Sequence, residues 1–84
     1  FSLSKNREIC TIDEEGAHFK LPMSDEVIHM TPTSSLQTQK IIGADIIMAF
    51  DQCTPNEATE EEARAIIIRT HRWLDESVAF HLAY

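Results

Sequence analysis

The run Ile46-Ile47-Met48-Ala49-Phe50 is unbroken by polar residues and ends on Asp51, with Cys53 two positions later and Pro55 after it. A carboxylate at the end of such a run can do specific work. Its two oxygens can accept together from the ring N1–H and the exocyclic amine of a guanine-like base. A site built on that pairing rejects bases lacking those donors, because the buried charge would be left unpaired. The structural alternative is an Asx-type cap on the following turn, and position alone does not choose between the two. Cys53 falls on the same side of an extended chain as Asp51 and is expected to line the same pocket. It has no sequence-adjacent base to make it a nucleophile. Gln52 points the other way, with a hydrogen bond as its one expected role.

Other chemistry-bearing residues are weaker candidates. His71 and Asp75 stand four apart on one helical segment, a spacing metal sites use, but two ligands without a third make no site. His18 and His29 are expected on opposing strands of a hairpin, as neighbours by register alone. Trp73 is expected to pack beneath its helix. Ser34 and Ser35 have neither nucleophile-elbow glycines nor a positioned histidine, so serine catalysis has no support. No metal site and no catalytic residue is therefore assigned within this chain.

The elements that must position Asp51 follow from pattern. Between Cys10 and Met30, Ala17, Phe19 and Leu21 alternate with His18 and Lys20, Pro22-Met23-Ser24-Asp25 supplies a turn, and Val27–Met30 returns, which reads as a β-hairpin. Thr31 as N-cap and Pro32 at the first helical position start a helix whose Leu36, Gln39 and Ile42 share a face. Gly43 ends it as a residue able to take positive φ. The run from Asp45 to Phe50 reads as a strand buried on both faces, as parallel strands of β/α architectures are. Thr59-Glu60-Glu61-Glu62 is a capping box opening a long helix, with Ala63, Ile66, Ile67, Thr70, Leu74, Ser77 and Val78 as its inner face. Glu60–Arg64 and Arg72–Glu76 are i, i+4 pairs on its outer face.

Composition sets the class. The 84 residues carry a net charge of −7, with Glu57, Glu60, Glu61 and Glu62 forming an acidic patch, so this surface is not a phosphate-docking face. No apolar stretch approaches a membrane span. Cys10 and Cys53 lack framework spacing and are expected as free thiols in a reducing cytosol. A single parallel strand without neighbours, a first residue other than Met and a small core all point to an internal segment of a larger protein.

Glu14-Glu15-Gly16 with Phe19, Gln39, the stretch from Gly43 to Pro55, Ala58-Thr59 and Arg69-Thr70-His71-Arg72-Trp73 together resemble the tRNA-guanine transglycosylase family, the queuine tRNA-ribosyltransferases, in its bacterial form. The resemblance covers nearly the whole chain. It implies an α/β fold in which residues 1–84 are an internal segment of a single (β/α)8 TIM-type barrel domain: hairpin, helix, buried barrel strand and long helix. It implies an enzyme that exchanges a guanine in the tRNA anticodon loop for a deazaguanine by double displacement, with the target base taken out of its stack. On that pattern Asp51 matches the aspartate that reads the guanine edge, and Cys53 the thiol beside it. The general-base aspartate would precede Phe1, while the nucleophile and the ligands of a structural zinc would follow Tyr84, so this segment alone should not turn over substrate. tRNA and a deazaguanine are the implied partners, with a homodimer open to the parent, a cytoplasmic location and no membrane.

The chain departs from the family pattern at Gln52, where Glu is usual, across residues 21–26, where a Ser-x-x-Asp-Gly turn is usual, and at Pro32-Thr33, where Pro-Glu is usual. None of these touches Asp51. Two other readings are a non-catalytic, partner-binding relative of the barrel and a metal-dependent barrel hydrolase with Asp51 as ligand.

Overall fold

The computed structural model describes residues 10–21 and 23–83, which form two compact units divided between Thr31 and Pro32. Residues 1–9 and Tyr84 lie outside the described residues, as does Pro22 of the expected turn.

The first unit is a three-stranded antiparallel meander of β1 (Cys10–Ile12), β2 (Ala17–Lys20) and β3 (Val27–Met30), in that spatial order. The hairpin read from the alternation is present as β2 and β3, and β1 adds a strand on its far side. Register pairs Cys10 with Phe19 and Phe19 with Ile28, and Ile12 with Ala17 and Ala17 with Met30. One face is thus entirely apolar. The other carries Thr11, His18 and His29 in a single cross-strand row. Two turns close the meander. In the first, Asp13 N–H donates to the Gly16 carbonyl at 3.0 Å. In the second, Met23 adopts φ 69° and Ser24 N–H donates to the Leu21 carbonyl at 3.2 Å.

The second unit packs α1 (Pro32–Ile42) against α2 (Glu60–Ala83). α1 begins at Pro32, as its fixed φ and absent N–H favour. It stops at Gly43, whose φ of 82° lets its N–H reach the Lys40 carbonyl at 3.1 Å, while Ala44 N–H reaches that of Gln39 at 3.3 Å. This is a Schellman closure. α2 opens on the expected capping box: the Thr59 hydroxyl accepts from Glu62 N–H at 3.1 Å and donates to the Glu62 carboxylate at 3.2 Å. The pairs Arg64–Glu60 and Arg72–Glu76 form at 3.1 and 3.9 Å.

The inner face of α2 differs in part from the periodic reading. Ala63, Ile66, Thr70 and Ser77 turn inward and Trp73 packs beneath the helix, as expected, but Ile67, Leu74 and Val78 are exposed and Phe80 takes an inner position. Trp73 is 1 % exposed and meets Phe50 at a centroid distance of 5.0 Å. On a helix with this many apolar residues two stripes satisfy the period, and the larger aromatic payload decides which is buried. On α1, Leu36 is buried and Gln39 half-buried, while Ile42 lies outside with Ile41.

A second correction concerns residues 45–50, which form no strand. Ile46 and Met48 are 81 % and 70 % exposed. A parallel inner strand exists only through ladder partners beside it, and among the described residues no strand runs there. A (β/α)8 barrel is accordingly absent from the described residues. They make a small α/β arrangement of one antiparallel sheet and two helices.

Candidate functional site

The segment between the two helices, residues 44–59, has no regular ladder, yet side chains of α1 and α2 hold it at two points. The Gln39 side-chain amide accepts from Met48 N–H at 2.7 Å and donates to the Met48 carbonyl at 2.9 Å. It meets both backbone groups of one residue, as a neighbouring strand would. Four residues on, the Thr70 hydroxyl accepts from Gln52 N–H at 3.2 Å and donates to the Gln52 carbonyl at 3.3 Å. Arg69 fixes the Gln52 side chain through its amide oxygen at 3.0 Å. Phe50, lodged against Trp73, anchors the stretch between these clamps.

These contacts determine where the candidate side chains go. With Phe50 and Gln52 turned toward α2, Asp51 and Cys53 project together to the outside. The Cys53 thiol stands 4.0 Å from Asp51 Oδ2, so the two share one side of the chain as extended geometry requires. That is the only hydrogen-bonding contact of the Asp51 carboxylate among the described residues. The Asx cap therefore does not form. Beside the segment lies an open groove of about 120 Å³, lined by Gln52, Thr54, Ile66, Ile67, Thr70 and His71. Cys10 is buried, Cys53 exposed, and both are free thiols. His71 and Asp75 are both exposed, with no ion pair between them among the described residues.

The sequence points to Asp51 and Cys53 but gives no direct role to Gln39 or Thr70. Both lie on inward helix faces, and a polar residue on such a face is itself the signal of a buried hydrogen-bonding duty. Arg69 carries no such signal. In the first unit, Asp13, His18 and His29 converge at the β1–β2 turn. The Asp13-x-x-Gly16 spacing is the one mark of this in the sequence.

Two clamps thus hold an irregular segment that presents a paired carboxylate and thiol. The family model for queuine tRNA-ribosyltransferase matches residues 1–83, and this chain belongs to that family. It is 44 % identical over 81 residues to the queuine tRNA-ribosyltransferase of Nostoc sp. and 43 % identical over 81 residues to that of Prochlorococcus marinus, covering 96 % of the chain and 21 % of the relative each time. It is also 46 % identical over 77 residues to the enzyme of Aliivibrio salmonicida, covering 92 % of the chain and 20 % of that relative. The chain thus spans about a fifth of the length of the curated relatives it matches. No helix among the described residues is long and apolar enough to cross a membrane.

Proposed function

We propose that this chain is the base-recognition part of a tRNA-guanine transglycosylase, a cytoplasmic enzyme that exchanges guanine for a deazaguanine in the anticodon loop of tRNA. Residues 1–84 form one stretch of a (β/α)8 barrel domain in the parent, in which neighbouring strands flank residues 45–50 and cover Ile46 and Met48. The nucleophile, the general base and the ligands of a structural zinc come from the parts of the parent that this chain does not span.

The observation that carries the reading is the paired outward projection of Asp51 and Cys53 from a segment clamped on both sides of Phe50. One carboxylate oxygen lies beside the thiol, and the side chain is exposed. Such a group accepts from the N1–H and exocyclic amine of guanine at once, and a deazaguanine keeps both donors. Gln52 does not take part in this recognition. Its side chain is committed to Arg69, which explains how an amide can stand where the family carries a carboxylate.

The test is Asp51→Asn in the full-length parent, measured by exchange of labelled guanine in tRNA. The amide presents an N–H toward one of the guanine donors, and exchange is expected to fall by at least about a hundredfold. Exchange within a fewfold of the unaltered enzyme would overturn the assignment. Cys53→Ala, which leaves both carboxylate oxygens available, is expected to cost less than about tenfold.

A further inference from the structure

The polar face of the sheet carries a group of side chains that base recognition does not use. His18 and His29 are directly paired across β2 and β3, and their rings stack with centroids 4.0 Å apart and planes within 11°. His18 Nε2 lies 2.7 Å from Asp13 Oδ2, and His29 Nε2 lies 4.0 Å from Glu15 Oε2. One ligand atom from each of Asp13, His18 and His29 falls within 4.8 Å of the other two.

The carboxylate is aimed by the turn that bears it. Asp13 Oδ1 accepts from the backbone N–H groups of Glu15 at 2.9 Å and Gly16 at 3.1 Å, which leaves Oδ2 directed across the sheet at His18. Desolvation acts to raise the Asp13 carboxyl, and the hydrogen bonds from His18, Gly16 and Glu15 outweigh it and hold the group below its ordinary range. The imidazoles stand on paired strands, where the ladder fixes their separation. A ligand held by outer hydrogen bonds and two more set by sheet register is the pattern in which metal ligands are oriented.

We propose that Asp13, His18 and His29 bind a divalent transition-metal ion, with Glu15 in reach as a fourth ligand and zinc as the best match. Two imidazoles with carboxylates and no thiolate suit zinc, nickel, cobalt or ferrous iron, while magnesium and calcium prefer all-oxygen shells. A tetrahedral ion with bonds of about 2.1 Å spaces its ligands about 3.4 Å apart, so closing the site takes a movement of order 1 Å in partly exposed side chains and a tilt that opens the ring stack. The bound ion ties the β1–β2 turn to β3 and stabilises the meander by mass action. A net charge of −7 favours the approach of any cation. This site is independent of base recognition at Asp51, so its failure would leave that reading intact.

The experiment titrates zinc chloride into the unaltered 84-residue chain at neutral pH and follows the histidine ring resonances by NMR, with cobalt(II) absorption as a second readout. Saturation at one equivalent is expected, moving the ring signals of His18 and His29 while those of His71 and His81 stay in place. Cobalt should give d–d bands without the intense near-ultraviolet band of thiolate ligation. His18→Gln, His29→Gln and Asp13→Asn should each weaken binding by at least about tenfold. Unmoved His18 and His29 signals in excess zinc, a thiolate band showing capture by cysteine, or equal displacement by magnesium would each overturn the proposal. Because the NMR readout uses the unaltered chain, the titration decides the matter even where a variant fails to fold.

Discussion

A methyl group added at Gly16 has nowhere to go. The residue sits at φ +157° in the turn between β1 and β2, and a Cβ there would run into the carbonyl of Met30, with the Met30 carbonyl carbon and Thr31 Cα close behind. Every obstacle is backbone, so no rotamer change relieves it. Gly16→Ala must therefore push the turn away from β3 or distort both, and is expected to destabilise the meander by roughly 1–3 kcal/mol. Urea unfolding followed through the dispersed amide signals of β2 and β3 measures this, and an unchanged midpoint would contradict it. Gly43 is a different case: it takes positive φ for the helix stop but faces open space, so its substitution carries backbone strain without a clash. At this scale the sequence is a good guide. Glycine, a capping threonine and an aspartate three residues before a glycine each act through their own neighbours, and all of them do here what their types require.

Elements separate what is local from what is not. The helix limits at Pro32, Gly43 and Glu60 and the alternation of β2 are legible because caps, turns and side-chain period act within a few residues. Residues 45–50 depart from their pattern because a parallel strand is a relation between segments. The apolar run encodes a demand for neighbours, and without them Gln39 and Thr70 supply the hydrogen bonds instead. The candidate site shows the same division: the pairing of Asp51 with Cys53 follows from spacing, while the clamps come from the packing of the two flanking helices. Gln39→Ala removes both bonds to Met48 at a cost of about 1–3 kcal/mol, so exchange of the Met48 amide hydrogen should speed up by roughly tenfold or more. The amides of α2 should keep their protection, and far-UV circular dichroism should not change. Equal loss of protection throughout α2 would mean that Gln39 supports the helix packing rather than the segment.

For the chain as a whole, the balance between apolar supply and burial decides its behaviour. The buried apolar side chains among the described residues are Cys10, Pro32, Leu36 and Trp73, whereas Ile41, Ile42, Ile46, Met48, Ile68 and Leu82 each expose more than half of their surface. A soluble domain rarely leaves so much aliphatic surface uncovered, and cores this small seldom give a strongly cooperative transition. All six exposed residues lie in the second unit, as the proposal that its helices and intervening segment are covered by further parts of a longer parent requires. The chain alone is therefore expected to bind the dye ANS and to melt over a broad range, with the signal of β2 and β3 and that of α2 lost at different temperatures. Zinc at saturating concentration should raise the first of these transitions and leave the second in place, because the proposed ligands all lie in the meander. The full-length parent should show neither the dye binding nor the separated transitions. A single sharp transition in the chain alone, without dye binding, would mean that the exposed aliphatic residues find partners within these 84 residues, and the reading of this surface as one covered by further parts of the parent would fall with it.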